Sequence, residues 1–269
     1  MRRTVILVTA VLMAAGYTST LRGMFDQWWN DEDMGHGLVV PFVIGWILWR
    51  ERKRWRALQP QPTWWGFGLL VAGAGLQAGA AAGAGLFAAS LGFLVTIAGA
   101  VLCLGGFAFL RVWSFPFLLA VFMLPKLAVV YNQATLPLQL LASRMAAGML
   151  SAGGLAVVRE GNILATGGHR VLVAEACNGV RYLLSLGFMS QVIAYVSDSK
   201  PWMRVVLLLA AVPVAILANA VRVAAVVPLP ILDAGVLHAI FGCLIFVACL
   251  ATLVLVRRLL GTVHARYHA

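Results

Sequence analysis

Apolar runs at 4–22, 36–49, 64–82, 86–110, 113–131, 180–197, 203–222 and 238–256 take up most of this chain. A helix needs about 20 such residues to cross a bilayer. It must also be a helix or a closed barrel, because hydrocarbon offers no partner for a backbone N–H or C=O. The run at 36–49 is short for a full crossing, so it is expected to extend into the preceding loop or to thin the bilayer locally. Only 11% of the 269 residues are charged, against roughly 25% in soluble chains. That deficit cannot cover a water-facing surface. The expected fold is an all-α membrane protein, a polytopic bundle of about eight transmembrane helices forming a single domain over 1–269.

The net charge of +11 invites a nucleic-acid reading, which the distribution of charge argues against. Lys and Arg sit in short clusters between apolar runs, as orientation signals do. The cluster Arg50-Glu51-Arg52-Lys53-Arg54-Trp55-Arg56 follows an apolar run directly and suits an anchor on anionic lipid. With a cytoplasmic N-terminus, thirteen of the 20 Lys and Arg fall in inside segments, and the acidic loop from Asp26 to Asp33 falls outside. This register places both termini inside an inner (plasma) membrane. Met1-Arg2-Arg3 ahead of an apolar run resembles a signal peptide, but no small-residue cleavage site stands out, so an uncleaved first helix is expected.

Two stretches are not simple spans. Residues 132–152 read as a moderately polar helix carrying Gln133, Gln139 and Arg144. Residues 155–176 read as two short strands around a turn at Thr166-Gly167-Gly168, a small outer β-like hairpin just before Cys177. The Gly/Ala-rich run 72–85 suggests close helix packing, since small side chains let membrane helices approach, with a turn at 79–85.

The predicted topology brings three distant residues to the outer ends of adjacent helices. Cys177 begins the sixth span, Arg222 ends the seventh and His238 begins the eighth. A thiol, an imidazole and a guanidinium are the parts of acyl transfer: nucleophile, proton carrier and oxyanion donor. Cys103, Cys243 and Cys249 lie inside apolar runs, where a cysteine is ordinarily a small packing residue. Cys177 differs in having Glu175, Asn178 and Arg181 beside it, and a nearby guanidinium favours the thiolate. Asn219 shares a helix face with Arg222, and polar groups within spans are expensive to keep. Arg222 alone reads equally well as an interfacial snorkeler, and His238 alone as a structural hydrogen-bonder. His36, in Gly35-His36-Gly37, is a further outer-face candidate. With Asp31, Glu32 and Asp33 it is the one grouping with metal-ligand chemistry, but no ligand spacing supports it, and no metal or cofactor is expected. Zinc and serine protease signatures are missing from the sequence, as is a pair of aspartates within spans.

These segments resemble the exosortase/archaeosortase family of membrane transpeptidases. Ala176-Cys177-Asn178-Gly179-Val180-Arg181 is similar to its nucleophile motif, in which Ser is usual at the position of Asn178. Asn219-Ala220-Val221-Arg222-Val223 resembles its arginine motif, and His238-Ala239-Ile240-Phe241-Gly242 its His-x-x-x-Gly motif. Gly35-His36-Gly37-Leu38-Val39-Val40-Pro41, ending in Trp49-Arg50, resembles its amino-terminal signature. Leu136-Pro137-Leu138-Gln139 and Arg159-Glu160-Gly161-Asn162 match its middle region. The resemblance implies that Cys177, Arg222 and His238 are catalytic, with Glu175, Asn178, Arg181, Asn219 and His36 supporting them. It implies exported protein substrates with a carboxy-terminal, PEP-CTERM-like sorting tail. The tail would be cut on the outer side, and the new carboxyl end passed to water or to an acceptor, lipid- or polysaccharide-linked, that the sequence does not identify.

Two non-enzymatic readings compete: a transporter with polar residues lining a gated cavity, and an assembly factor for exopolysaccharide export. No internal repeat supports a transporter. The shared outer face depends on topology, which is directly testable. A reporter fused after Ala269 is expected to read out on the cytoplasmic side. Signal from the opposite side removes the common face for the three motifs.

Overall fold

In the computed structural model of the chain, helices occupy the predicted apolar runs, with breaks that sequence pattern alone did not locate. The structure describes residues 2–167, 169–173, 179–197, 200–232 and 235–267. Contacts divide the chain into two compact units, Met1–Leu127 and Ala128–Ala269.

The first unit runs α1 (Arg2–Gly16), α2 (Thr18–Asn30), a 3-10 turn (Gly35–Leu38), α3 (Val40–Arg50), α4 (Arg52–Arg56), α5 (Trp65–Gly79), α6 (Gly85–Leu104), α7 (Phe107–Val112) and α8 (Ser114–Ala120). The first predicted span is broken near Tyr17, where α1 and α2 meet at 67°. Tyr17 is buried, and its hydroxyl donates to the Gly73 carbonyl at 3.2 Å and lies 2.7 Å from Thr96 Oγ1. A buried phenol needs such partners, and these tie the break to the α5–α6 hairpin.

That hairpin is the most closely packed pair in the unit. Gly83 (φ +114°) and Gly85 (φ +76°) form its reversal, within the turn expected at 79–85. Gly66 and Gly73 on α5 face Gly99 and Gly92 on α6. Each pair is seven residues apart, about two helical turns, and so shares a face. A Cβ on Gly73 would run into Thr96 Oγ1 and come within 2.8 Å of the Gly92 carbonyl oxygen; one on Gly99 would lie 2.8 Å from the Gly66 oxygen. The glycines that pack therefore lie at 66, 73, 92 and 99, whereas Gly75 and Gly79 face open space.

The second unit runs α9 (Ala128–Ala152), β1 (Val158–Glu160), β2 (Ile163–Thr166), β3 (His169–Leu172), α10 (Val180–Val196), α11 (Pro201–Val226) and α12 (Gly235–Tyr267). The strands form an antiparallel meander in the order β1-β2-β3, one strand more than the expected hairpin. The extra turn is at Gly161-Asn162, between the paired Glu160 and Ile163, with Gly161 at φ +64°. Its two-residue loop is the short connection that favours glycine. The moderately polar segment 132–152 joins the end of the fifth predicted span as one helix, α9.

The meander lies on α9 and α11. Leu164 and Val173 are buried with Ala142, Ala146 and Leu150 of α9, Val223 of α11 and Val227 just past its end. Polar ties fix the same contact: Ser143 Oγ donates to the Gly161 carbonyl at 3.0 Å, and Asn162 Nδ2 to Gln139 Oε1 at 3.4 Å. The two middle-region segments of the sequence thus meet. Tyr182, Leu186, Ala211, Ala215, Ile245 and Leu253 form the core among α10, α11 and α12.

Among the described residues, Gly85–Leu104, Pro201–Val226 and Gly235–Val263 are each long and apolar enough to cross a membrane. The number rises to five if Thr4–Gly16 with Thr18–Asn30, and Ser114–Met123 with Ala128–Ala152, each make one broken span. The other expected crossings map to α3, α5 and α10, of 11, 15 and 17 residues. The protein is a largely helical membrane protein; length and composition support three to five spans, and the eight-span arrangement rests on the sequence pattern.

The hairpin packing has a measurable consequence. Gly73→Val puts a branched side chain against backbone that cannot yield, and overpacking of this kind costs about 1–3 kcal/mol. Its thermal midpoint in detergent is expected to fall clearly, while Gly75→Ala, with nothing within 4 Å of the new methyl, stays at or above wild type. Equal midpoints for the two variants would show that the contact does not hold the hairpin.

Candidate active site

Three helix ends of the second unit carry the residues singled out in the sequence. α11 begins on Pro201, whose ring suits the first helical position, and runs to Val226. Near its end Asn219 and Arg222 are three residues apart and so on one face, 2% and 5% exposed. The chain then turns through a short 3-10 segment, Pro230–Leu232, and α12 starts at Gly235. His238, half-buried in the first turn of α12, meets Arg222 directly: the guanidinium Nη2 contacts the imidazole Nε2.

The other ring nitrogen fixes the tautomer. His238 Nδ1 lies 2.8 Å from the Leu232 carbonyl oxygen. A carbonyl only accepts, so Nδ1 carries the proton and Nε2 receives the Arg222 N–H. The imidazole is therefore neutral in this arrangement, held on one side by backbone and on the other by a cation. Leu232 itself is positioned by its N–H, which donates to the Leu229 carbonyl at 2.9 Å.

Arg222 has a second neighbour. Its Cζ stands 6.0 Å from the ring centroid of Tyr182 on α10, at the limit of a cation–π contact. Its Nε is buried and has no acceptor among the described residues. The guanidinium thus retains donor capacity in a place sheltered from water, where an unpaired donor is costly.

The third helix end is the start of α10, next in the chain to Cys177. Cys177, Glu175 and Asn178 lie outside the described residues. The description resumes at Gly179, the N-cap of α10, in the left-handed conformation at φ +84°. Two facts require glycine there. A side chain at positive φ is strained, and a Cβ would come within 3.1 Å of Asn219 Cβ and Cγ. Gly179 therefore packs against Asn219, one turn of helix from Arg222. A small crevice beside this contact is lined by Leu138, Leu141 and Ala142 of α9, Leu183 of α10 and Ile216 of α11. Arg181 follows in the first turn of α10, half-buried.

His36 belongs to the first unit. Its Nε2 lies 3.0 Å from the Phe122 carbonyl. Gly37 presses on Trp28 so closely that a Cβ would run into the indole ring, and that indole donates to the Met123 carbonyl at 3.0 Å. The Gly35-His36-Gly37 signature is thus built into packing. The neighbouring acids have a counter-ion the sequence reading did not assign: Lys126 Nζ is 2.7 Å from Asp31 and 3.0 Å from Asp33.

Sequence reasoning missed Tyr182 and the Leu232 carbonyl. Tyr182 had a signal, since a phenol inside an apolar helix needs a polar neighbour, and it follows Gly179 by three residues. A backbone carbonyl in a turn leaves no mark on residue identity. Gly242, of the His-x-x-x-Gly segment, faces the same phenol: a Cβ there would meet Tyr182 Oη at 3.9 Å.

Comparison with known proteins agrees with this arrangement of segments. No curated protein and no solved structure matches the chain. A family model described as transmembrane exosortase matches residues 28–255, most of the sequence. That match runs from the Trp28 that packs on Gly37, through the strands and the three helix ends, to the last turns of α12. The chain belongs to the transmembrane exosortase family.

Proposed function

We propose that this protein is an intramembrane cysteine transpeptidase that cleaves the carboxy-terminal sorting tail of exported proteins. Cys177 is the nucleophile, His238 the proton carrier and Arg222 the oxyanion donor. The observation that carries the reading is the contact of Arg222 with a His238 oriented by the Leu232 carbonyl. An imidazole oriented by a third group, beside a buried guanidinium able to donate to an oxyanion, supplies two of the parts that nucleophilic acyl transfer needs. Chain connectivity supports the third member, because two residues of backbone span at most about 7 Å and Gly179 packs on Asn219.

The chemistry balances as an acyl transfer. The Cys177 thiol gives its proton to His238 Nε2, and the thiolate attacks the scissile carbonyl carbon. The oxyanion that forms takes N–H donors from Arg222. Collapse breaks the C–N bond, and the leaving amine takes the proton from His238, leaving a Cys177 thioester. Water or an acceptor nucleophile then attacks the thioester, its proton passes through His238, and the thiol is regenerated. Asn219 and Gly179 hold the start of α10 against α11, and Asn178, Glu175 and Arg181 complete the surroundings of the thiol. The substrates are proteins with a PEP-CTERM-like tail, the acceptor is lipid- or polysaccharide-linked, and the site faces outward from an inner membrane with both termini inside. The long apolar helices of this chain suit a substrate whose tail is itself a membrane helix.

Co-expression with a tailed substrate tests the assignment. Cys177→Ala is expected to abolish tail removal while the protein still inserts, and Cys177→Ser to be nearly as damaged, since a hydroxyl ionises far less readily than a thiol. A variant lacking Cys103, Cys243 and Cys249 keeps substantial activity and labels with a thiol-reactive probe. Normal trimming by Cys177→Ala sinks the cysteine mechanism.

Arg222→Lys separates charge from geometry. Lysine keeps a cation but loses the planar fork that holds Nε2 and an oxyanion together. Processing is expected to drop at least about a hundredfold, the scale of losing one oxyanion donor, at an unchanged protein level. Near-normal processing would reduce Arg222 to a point charge.

A further inference from the structure

A cavity of the first unit is unrelated to the residues above. It measures about 740 Å³ and is walled almost wholly by apolar side chains, among them Ile6 and Met13 of α1 and Phe93 and Ile97 of α6. Its size is within the roughly 300–1,000 Å³ typical of small-molecule sites. Along α6 it reaches from Phe93 to Leu104. That is about 17 Å at 1.5 Å per residue, close to the depth of one leaflet, half of a hydrocarbon core of roughly 30 Å.

Past Leu104 the wall changes character. Trp55 and Arg56 of α4 and Trp113, which follows α7, line the cavity there. Arg56 is exposed, and its Cζ stands 5.4 Å from the Trp55 ring centroid. The two indoles meet edge to face with centroids 6.1 Å apart. Trp55 Nε1 donates to the Leu48 carbonyl at 2.8 Å. Trp113 Nε1 is buried and has no acceptor among the described residues. Arg50, Arg52, Lys53 and Arg54 precede Trp55 and Arg56 directly in the chain and add positive charge. Arg50 and Arg52 also stack on tryptophans, Trp46 and Trp49, at 5.5 and 4.3 Å. Paired tryptophan and basic side chains are what a protein presents at the level of lipid headgroups.

We propose that this cavity is a binding site for one anionic phospholipid, an acyl chain lying along α1 and α6 and the phosphate at Arg56 and the Trp113 indole N–H. Length, wall chemistry and charge each point to the same occupant. A wholly apolar groove accepts any chain, but a leaflet-deep groove capped by a cation, an N–H with no acceptor among the described residues and a basic cluster selects a negative headgroup, because basic side chains attract anionic lipid. A neutral detergent or a sterol would use the wall and leave the cap unpaired. The site is a resident lipid's place in the scaffold, and it stands independently of the cysteine mechanism.

Native mass spectrometry of the full-length, delipidated protein in detergent tests this, with dioleoylphosphatidylglycerol and dioleoylphosphatidylcholine added separately. The wild type is expected to hold one phosphatidylglycerol at least about tenfold more tightly than phosphatidylcholine. Arg56→Gln, at an exposed position, is expected to erase that preference while leaving the weaker binding of both lipids. Ala10→Trp fills the groove from α1, where the residue is exposed and folding is tolerant, and is expected to weaken both lipids. No preference in the wild type overturns the proposal. So does a preference retained by Arg56→Gln, which removes the headgroup contact, or unchanged binding by Ala10→Trp, which removes the acyl chain from the cavity.

Discussion

A guanidinium buried among apolar helices is the constraint around which the second unit is organised. Arg222 is 5% exposed near the end of a helix made mostly of alanine, valine and leucine. Removing a charge from water costs several kcal/mol even after relaxation. The protein offsets part of that cost with the His238 imidazole and the face of Tyr182. These two partners come from α12 and α10, so satisfying one cation draws three helices together at one end. His238 in turn must present Nε2, which it does because the Leu232 carbonyl takes its other N–H. The 3-10 turn at Pro230–Leu232 is thus more than a connection: its carbonyl decides which nitrogen faces the cation.

The small sheet supports the same end by a different interaction. It has no long strand and could not stand alone, but Leu164 and Val173 are buried against α9 and α11. Hydrogen bonds from Ser143 and Asn162 fix the Gly161-Asn162 turn to α9. The last strand, β3, leads toward the nucleophile segment, and Gly179 closes that segment against Asn219. Packing sets the position of both ends of the stretch that holds Cys177. The side chains of Val223 and Val227, one residue and five residues after Arg222, belong to the sheet contact, so this end of α11 presents Arg222 on one face and scaffold on another.

Much of this was legible in the residues. Helix type and place followed from apolar runs, and α10, α11 and α12 begin within three residues of the spans read at 180–197, 203–222 and 238–256. Arg222 and His238 were picked out from chemistry and helix order, and they touch. What the pattern hid has physical reasons. A break such as the one at Tyr17 leaves an apolar run uninterrupted, because the side chains on both sides still face hydrocarbon or core; only the hydroxyl's need for Gly73 and Thr96 marks it. The Gly-rich run suggested close packing, but composition does not tell which glycines face a neighbour. That is set by the two-turn spacing of Gly66 with Gly73 and Gly92 with Gly99. The third strand was missed because Gly161-Asn162 sits inside a run that reads as one strand. Lys126 is far in sequence from Asp31 and Asp33, and a single pairing at that distance leaves no local pattern.

The Arg222–His238 contact also bears on how the proposed reaction begins. One lone pair on Nε2 cannot accept from Arg222 and from the Cys177 thiol at once. In the arrangement described here the guanidinium holds it. A substrate carbonyl offers the guanidinium a better acceptor as negative charge develops on its oxygen, because charge-assisted hydrogen bonds are roughly twice as strong as neutral ones. Moving toward that oxygen, Arg222 releases Nε2 to the thiol. Binding energy from the tail is then spent on freeing the base, and the thiolate forms only when a carbonyl is in place to receive it. The Nε–H of Arg222, which has no acceptor among the described residues, gives the proposed exchange a path, since one edge of the fork can engage the new acceptor before the other leaves the imidazole. On the proposed mechanism, the contact that orients the base also withholds it from the thiol until a substrate carbonyl draws the guanidinium away.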